Sequence, residues 1–202
     1  MPSDDNTVNM KGRDGRYHHG DLRSALIEEG LSQLDTKAPD AVSLREIARN
    51  VGVSATAVYR HFPDKAALLT ALCEVGGERL AAAFREAMAG APDKRGAFRA
   101  MGRAYVKFAL HNPSIFRLMM TQAEPDGARN ASPGATADPF GMLSDTLNTL
   151  LPPDASNADR KIKRLQAWSM VHGLAMLMLD GQVPADEALV DQVITTSFVH
   201  EA

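Results

Sequence analysis

Hydrophobic residues in this chain recur at helical spacing, and alternating β-branched segments bounded by turn residues do not occur. That pattern restricts the chain to an all-α fold. Asp21 is placed to cap a first helix running to about Leu34, with Leu22, Leu26, Ile27, Leu31 and Leu34 on one stripe. Lys37 to Ala41, with Pro39, reads as a loop. A second helix starts at Ser43, where Ser43-Leu44-Arg45-Glu46 fits the S-x-x-E capping box, and ends near Val51-Gly52. A third, short helix runs from Ser54 to about His61. Pro63 suits the first turn of a long fourth helix reaching about Ala89. Further helices fit Lys94 to His111, Ser114 to Gln122, Phe140 to Leu151, Asn157 to Leu179 and Ala185 to Val199. Asn112-Pro113, the Gly- and Pro-rich stretch Glu124 to Pro139, Pro152-Pro153 and Gly181 to Pro184 separate them. The count is about nine helices.

The segment from Ser43 to Phe62 carries the most specific signal. Leu44, Ile47, Ala48, Val51, Val53 and Val58 supply an apolar inner face, with Ala48 small where two helices must cross. Gly52 sits in the tight turn, where a positive φ is cheap only for glycine. Ser54 can cap the next helix and leave its N-terminal amides facing outward, over a phosphate or a groove edge. This is the helix-turn-helix plan, whose second helix enters the major groove of DNA. An ordinary helical hairpin has the same turn chemistry. Tyr59, His61 and Lys65 count against that plainer reading, because all three can donate hydrogen bonds to phosphate.

Three runs together look like the N-terminal domain of TetR-family regulators. They are Tyr17-His18-His19-Gly20-Asp21-Leu22-Arg23, the helix-turn-helix itself, and Tyr59-Arg60-His61-Phe62-Pro63-Asp64-Lys65-Ala66-Ala67-Leu68-Leu69. The resemblance implies roles position by position. Ser43 would cap the second helix and touch phosphate, and Arg45 would reach the operator, often at a base. Ala55, Thr56 and Ala57 would face the groove, and Tyr59, His61 and Lys65 would grip the backbone. Ala55 and Ala57 are short here. They can touch a thymine methyl but make no bidentate contact, so sequence reading would lean on Arg45, Thr56, Arg60 and Tyr59. The resemblance divides the chain into a flexible N-terminal arm (1–15), a helix-turn-helix DNA-binding domain (16–63) and a C-terminal effector-binding and dimerisation domain (64–202).

Two C-terminal runs resemble one subgroup of TetR C-terminal domains. They are Asn112 to Met120 and the Trp-x-x-x-His-Gly pattern of Trp168, His172 and Gly173. In such domains a ligand pocket and a dimer interface are expected. Tyr105, Phe108, Phe116, Met119, Met120, Trp168, His172 and Met176 are the candidates for the pocket. Methionine adapts to irregular shapes and suits a permissive site, although the same inventory would serve simple core packing. Leu165, Val171, Leu189, Val193 and Ile194, on the last two long helices, are the candidates for the interface. One helix-turn-helix reads only a few base pairs, so a homodimer on a palindromic double-stranded operator is the expected assembly.

Composition bears on these readings at several points. Net charge is −3, which argues weakly against DNA binding, but a local basic surface is what matters. Lys11, Arg13, Arg16 and Arg23, with His18 and His19, form a modest basic arm. No apolar run approaches the roughly 20 residues of a membrane span, and Met1 to Gly15 lacks the apolar stretch of a secretory signal. A cytoplasmic protein with no membrane partner is expected. The single cysteine, Cys73, sits among leucines and reads as a small buried apolar residue. No nucleophile with a base, metal set or phosphate loop occurs at recognisable spacing, so no enzyme activity, cofactor or metal is expected. The expected function is a repressor released from its operator by an apolar small-molecule effector. A constitutive or activating dimer without a ligand pocket is the alternative.

Overall fold

The computed structural model of the chain describes residues 22–121 and 138–197. The basic arm with Lys11, Arg13, Arg16, His18 and His19, the Tyr17–Asp21 run with its capping Asp21, residues 122–137 and Val199 lie outside the described residues. Nine α-helices and one 3₁₀ turn account for the described chain, and no strand occurs among those residues. The helices are α1 (Leu22–Leu34), α2 (Leu44–Val51), α3 (Ala55–His61), α4 (Lys65–Ala89) and α5 (Lys94–His111). They continue with α6 (Pro113–Thr121), α7 (Pro139–Asn148), α8 (Asn157–Leu179) and α9 (Glu187–Ser197). The loop expected at Lys37 to Ala41 contains the 3₁₀ turn, Pro39–Ala41, begun by the fixed φ of proline.

Caps move several helix boundaries away from the expected positions. Pro63 is not in the first turn of α4. Asp64 stands between them, and its Oδ1 accepts from the Ala67 amide at 2.8 Å. α7 begins with Pro139 in its first turn and Asp138 as cap, and it stops at Asn148, ahead of the expected Leu151. The two prolines that follow, Pro152 and Pro153, leave the last residues no continuing helix to join. α9 begins at Glu187 rather than Ala185, because Asp186 Oδ1 accepts from the Ala188 amide at 2.9 Å. α5 and α8 are capped by Asp93 and Ser156.

The chain divides into two compact units, Met1–Leu72 and Cys73–Ala202. In the first, α1, α2 and α3 pack around Leu26, Leu34, Ile47, Val58 and Phe62, all at most 2% exposed. The opening turns of α4 belong to this core. Leu68 and Leu72 lie against Gly30 of α1, where a Cβ would sit 3.2 Å from a Leu72 methyl. In the second unit α5 is the central helix, packed against α6, α7, α8 and α9. Gly76 of α4 lets α6 come close, since a Cβ there would lie 3.0 Å from two carbons of Ile115. Cys73 is buried. Arg103 pairs with Asp191, and Lys107 pairs with Glu187 at 3.0 Å, tying the surfaces of α5 and α9. Such exposed pairs contribute little, about 0–1 kcal/mol each.

Candidate DNA-reading surface and apolar cavity

The helix-turn-helix is set by α2, its turn and α3. Ser43 Oγ accepts from the Glu46 amide at 3.4 Å, as the capping box requires. The box is not closed from the other side. The Ser43 amide donates instead to Oε1 of Gln33 at 3.1 Å, and Gln33 is 4% exposed. Glu46 is drawn to Lys37 and Arg49. The hydrogen bond from Lys37 holds its carboxyl below the ordinary carboxylate value, helped by both positive charges. A buried glutamine thus joins α1 to the start of α2, a link that capping statistics alone do not reveal.

Gly52 ends α2 at φ +81°, and its amide donates to the Ala48 carbonyl at 3.0 Å. A Cβ on Gly52 would meet nothing within 4 Å, so the backbone angle and not space demands glycine. Ser54 Oγ then accepts from the Ala57 amide at 3.2 Å and starts α3. On the inner side Leu44, Ile47, Ala48, Val51 and Val58 are buried, while Val53, expected with them, is half-buried in the turn.

The outward side holds most of the expected DNA-contacting residues. Arg45, Ser54, Ala55, Thr56, Tyr59, Arg60 and His61 are exposed, and Ser43 and Ala57 are half-buried. Tyr59 is 43% exposed although its ring is large and apolar. Lys65 is half-buried and its Nζ donates to the Asp40 carbonyl, which uses one of its three donors. Arg23 lies over the Phe62 ring at 5.4 Å and braces the end of α3.

In the second unit a cavity of about 90 Å³ opens among residues of α4, α5, α6, α7, α8 and α9. Four of the eight expected pocket residues line it: Tyr105, Met119, Met120 and Trp168. Phe116 and His172 stand behind that wall. The Phe116 ring meets Tyr105 edge-on at 5.5 Å, and His172 lies 5.8 Å from both Phe116 and Trp168. Phe108 and Met176 do not line the cavity. Phe108 is 7% exposed and packs as core.

The wall has one polar chain. Trp168 Nε1 donates to the Tyr105 hydroxyl at 3.3 Å, and that hydroxyl lies 3.1 Å from His172 Nδ1. Burial lowers the His172 pKa from its ordinary 6.5. The neutral ring so favoured leaves Nδ1 able to accept the Tyr105 proton, and the three groups satisfy one another.

Sequence reading missed much of the lining. Leu80 and Phe84 come from α4, Phe98, Arg99 and Met101 from α5, and Phe140 and Leu143 from α7. Val171 and Ile194, expected at a dimer interface, also line this cavity and are 8% and 4% exposed. A Cβ on Gly102 would sit 3.4 Å from Val171 and 3.5 Å from Ile194. Both side chains are therefore turned toward α5. Leu165 is 55% exposed, and Leu189 and Val193 are half-buried. Ile162 and Leu177 of α8, 55% and 42% exposed, share the outward position of Leu165 and were not anticipated. Among the described residues no group of three metal-ligating side chains occurs, and no helix is long and apolar enough to cross a membrane.

Comparison with known proteins covers both units. A family model described as bacterial regulatory proteins, tetR family, matches residues 26–72, and a Tetracyclin repressor-like C-terminal domain matches residues 98–197. A solved protein of unknown function from Rhodococcus sp. RHA1 is 33% identical, with a TM-score of 0.73 over 91% of this chain and 95% of its own. A TetR family transcriptional regulator, PfmR, from Thermus thermophilus is 18% identical, with a TM-score of 0.58 over 86% of this chain and 99% of its own. A TetR variant from Acinetobacter baumannii AYE, solved in complex with minocycline, is 20% identical, with a TM-score of 0.57 over 86% and 94%. The last two share the fold.

Proposed function

The chain belongs to the TetR family of bacterial regulatory proteins, and from that membership we infer that it is a homodimeric repressor released from a palindromic operator by a small apolar molecule. It is a DNA-binding transcriptional regulator. The finer reading rests on one observation, the presence in a single chain of an outward-facing α3 and an apolar cavity. A dimer without a sensor would need no such cavity. Ser54, Ala55, Thr56 and Ala57 face the groove in this reading, and Arg45 contacts a base. Ser43, Tyr59, His61 and Lys65 hold the phosphates, and Arg60 adds to the reading of the sequence. The Trp168, His172 and Gly173 pattern supports assigning the chain to a subgroup with this C-terminal signature, and in that reading the link from Trp168 through Tyr105 to His172 gives the signature a structural purpose. Acting on the operator, the protein works in the cytoplasm.

Dimerisation uses the outward faces of α8 and α9. Ile162, Leu165 and Leu177 are exposed apolar side chains on α8, and Leu189 and Val193 are half-buried apolar side chains on α9. Gly173 lies on α8 with open space where a Cβ would be, which allows a partner helix to approach closely. The reading is tested by screening compounds for a rise in melting temperature and measuring operator affinity with and without each hit. A releasing compound must itself bind less tightly to the DNA complex, by the same factor. A thousandfold release corresponds to about 4 kcal/mol of differential binding. Hits that stabilise the protein and leave operator affinity unchanged would contradict the repressor-release reading.

A further inference from the structure

Four arginines are half-buried among the described residues: Arg99, Arg103, Arg160 and Arg164. Three are spent within the fold. Arg103 pairs with Asp191. Arg160 donates to Asn148 at 3.0 Å and to the carbonyls of Ala155, Pro152 and Pro153. Arg164 lies 4.7 Å over the Phe140 ring and donates to Ser144 at 3.3 Å. Arg99 differs. It lines the cavity, its Nε is buried without a hydrogen-bond partner, and none of the ion pairs among the described residues includes it.

A buried donor of a charged group left unpaired is costly, and an incoming acceptor removes that cost. The rest of the wall does not supply the acceptor. The polar atoms of Tyr105 and Trp168 are engaged with each other and with His172. Asp138, the other charged lining residue, is exposed and accepts from the Phe140 amide at 3.1 Å as the cap of α7. The remaining surface near Arg99 is apolar, with Phe84, Phe98, Met101 and Phe140 prominent.

We propose that the cavity takes an amphipathic monoanion, with an apolar body among these side chains and a carboxylate paired with the Arg99 guanidinium. The inference rests on reading the cavity as the effector pocket and adds the chemical class of the effector. Guanidinium and carboxylate match in a planar, two-pronged geometry, so the head fixes the orientation and the apolar tail contributes most of the buried area.

Trp168 is the one tryptophan of the chain and lines the cavity, so its emission reports occupancy directly. The probes are octanoate and octan-1-ol, which share a tail and differ in the charge of the head. Titration of the full chain should show octanoate changing Trp168 emission with at least tenfold higher affinity than octan-1-ol. Arg99→Gln should bring the two affinities within about twofold, and Arg99→Lys, which keeps the charge, should retain part of the preference. Circular dichroism checks that each variant is folded, and Arg99→Lys carries the comparison if Arg99→Gln is not. Equal binding of both probes by the unaltered protein would overturn the anion assignment and leave the pocket reading standing. A folded Arg99→Gln that keeps the tenfold preference would also overturn it. Silence of Trp168 toward both probes overturns it too, and the compound screen then decides the pocket reading separately.

Discussion

Single residues carry much of this account, and Gly52 is the sharpest case. Its φ of +81° is set by the turn between α2 and α3, with empty space beside it. Gly52→Ala should therefore lose about 1–2 kcal/mol through backbone strain alone, read as a lower urea midpoint with an unchanged m-value. A change smaller than the error of that measurement would mean the turn relaxes. His172 gives a pH test. Its folded pKa is depressed by burial below 6.5, so the unfolded chain takes up the proton first as pH falls. Stability is full above about pH 6.5 and is lost progressively between that value and the lower folded pKa. Melting temperature should fall on acidification through this window, and His172→Gln should flatten the fall. An identical pH profile for the variant would show that His172 is not the titrating group. Lys65 supplies a third residue test. If one of its remaining donors meets a phosphate, Lys65→Ala should lower the slope of log K against log salt by about one per protomer.

At the scale of elements, the sequence read well wherever local chemistry decides the outcome. Helix periodicity, Gly52, Ser43 and Ser54 placed α1 to α3, and the glycine- and proline-rich breaks separated the remaining helices. Boundaries slipped where two signals competed. Pro63 suggested a helix start that Asp64 took by capping, and Asp186 delayed α9 in the same way. The cavity was half legible. Tyr105, Met119, Met120 and Trp168 stand out as aromatic or methionine residues, but Leu80, Phe84 and Phe98 look like ordinary helix residues until α4 and α5 are packed. Arg99 resembles any other basic residue of an amphipathic helix, and only the missing partner of its buried Nε marks it. Val171 and Ile194, expected at a dimer interface, line the cavity in this chain, because periodicity marks an apolar face without telling which neighbour covers it. The exposed face of α8 has its own test. Ile162→Glu and Leu165→Glu together should yield a folded monomer by light scattering with weakened operator binding, because both side chains are 55% exposed and can accept charge in the monomer. A dimer in that double variant would place the interface elsewhere.

At the scale of the whole molecule, the proposed function has α2 and α3 of two copies reading a symmetric DNA site. α4 is the one helix with residues in both compact units, its first eight in the unit ending at Leu72 and the rest in the unit beginning at Cys73. Under the proposed release by an effector, α4 is the element that would link an occupied cavity to the reading helices. That coupling is secondary to the DNA reading itself, which a selection from randomised duplexes measures directly. The protein should enrich an inverted repeat whose half-sites are centred about one helical turn apart, or a multiple of it. Arg45→Ala should lose the preference at one symmetric pair of positions, costing about 1–3 kcal/mol there if the contact is bidentate to guanine. Enrichment of no sequence, or of a site lacking two-fold symmetry, would contradict the account.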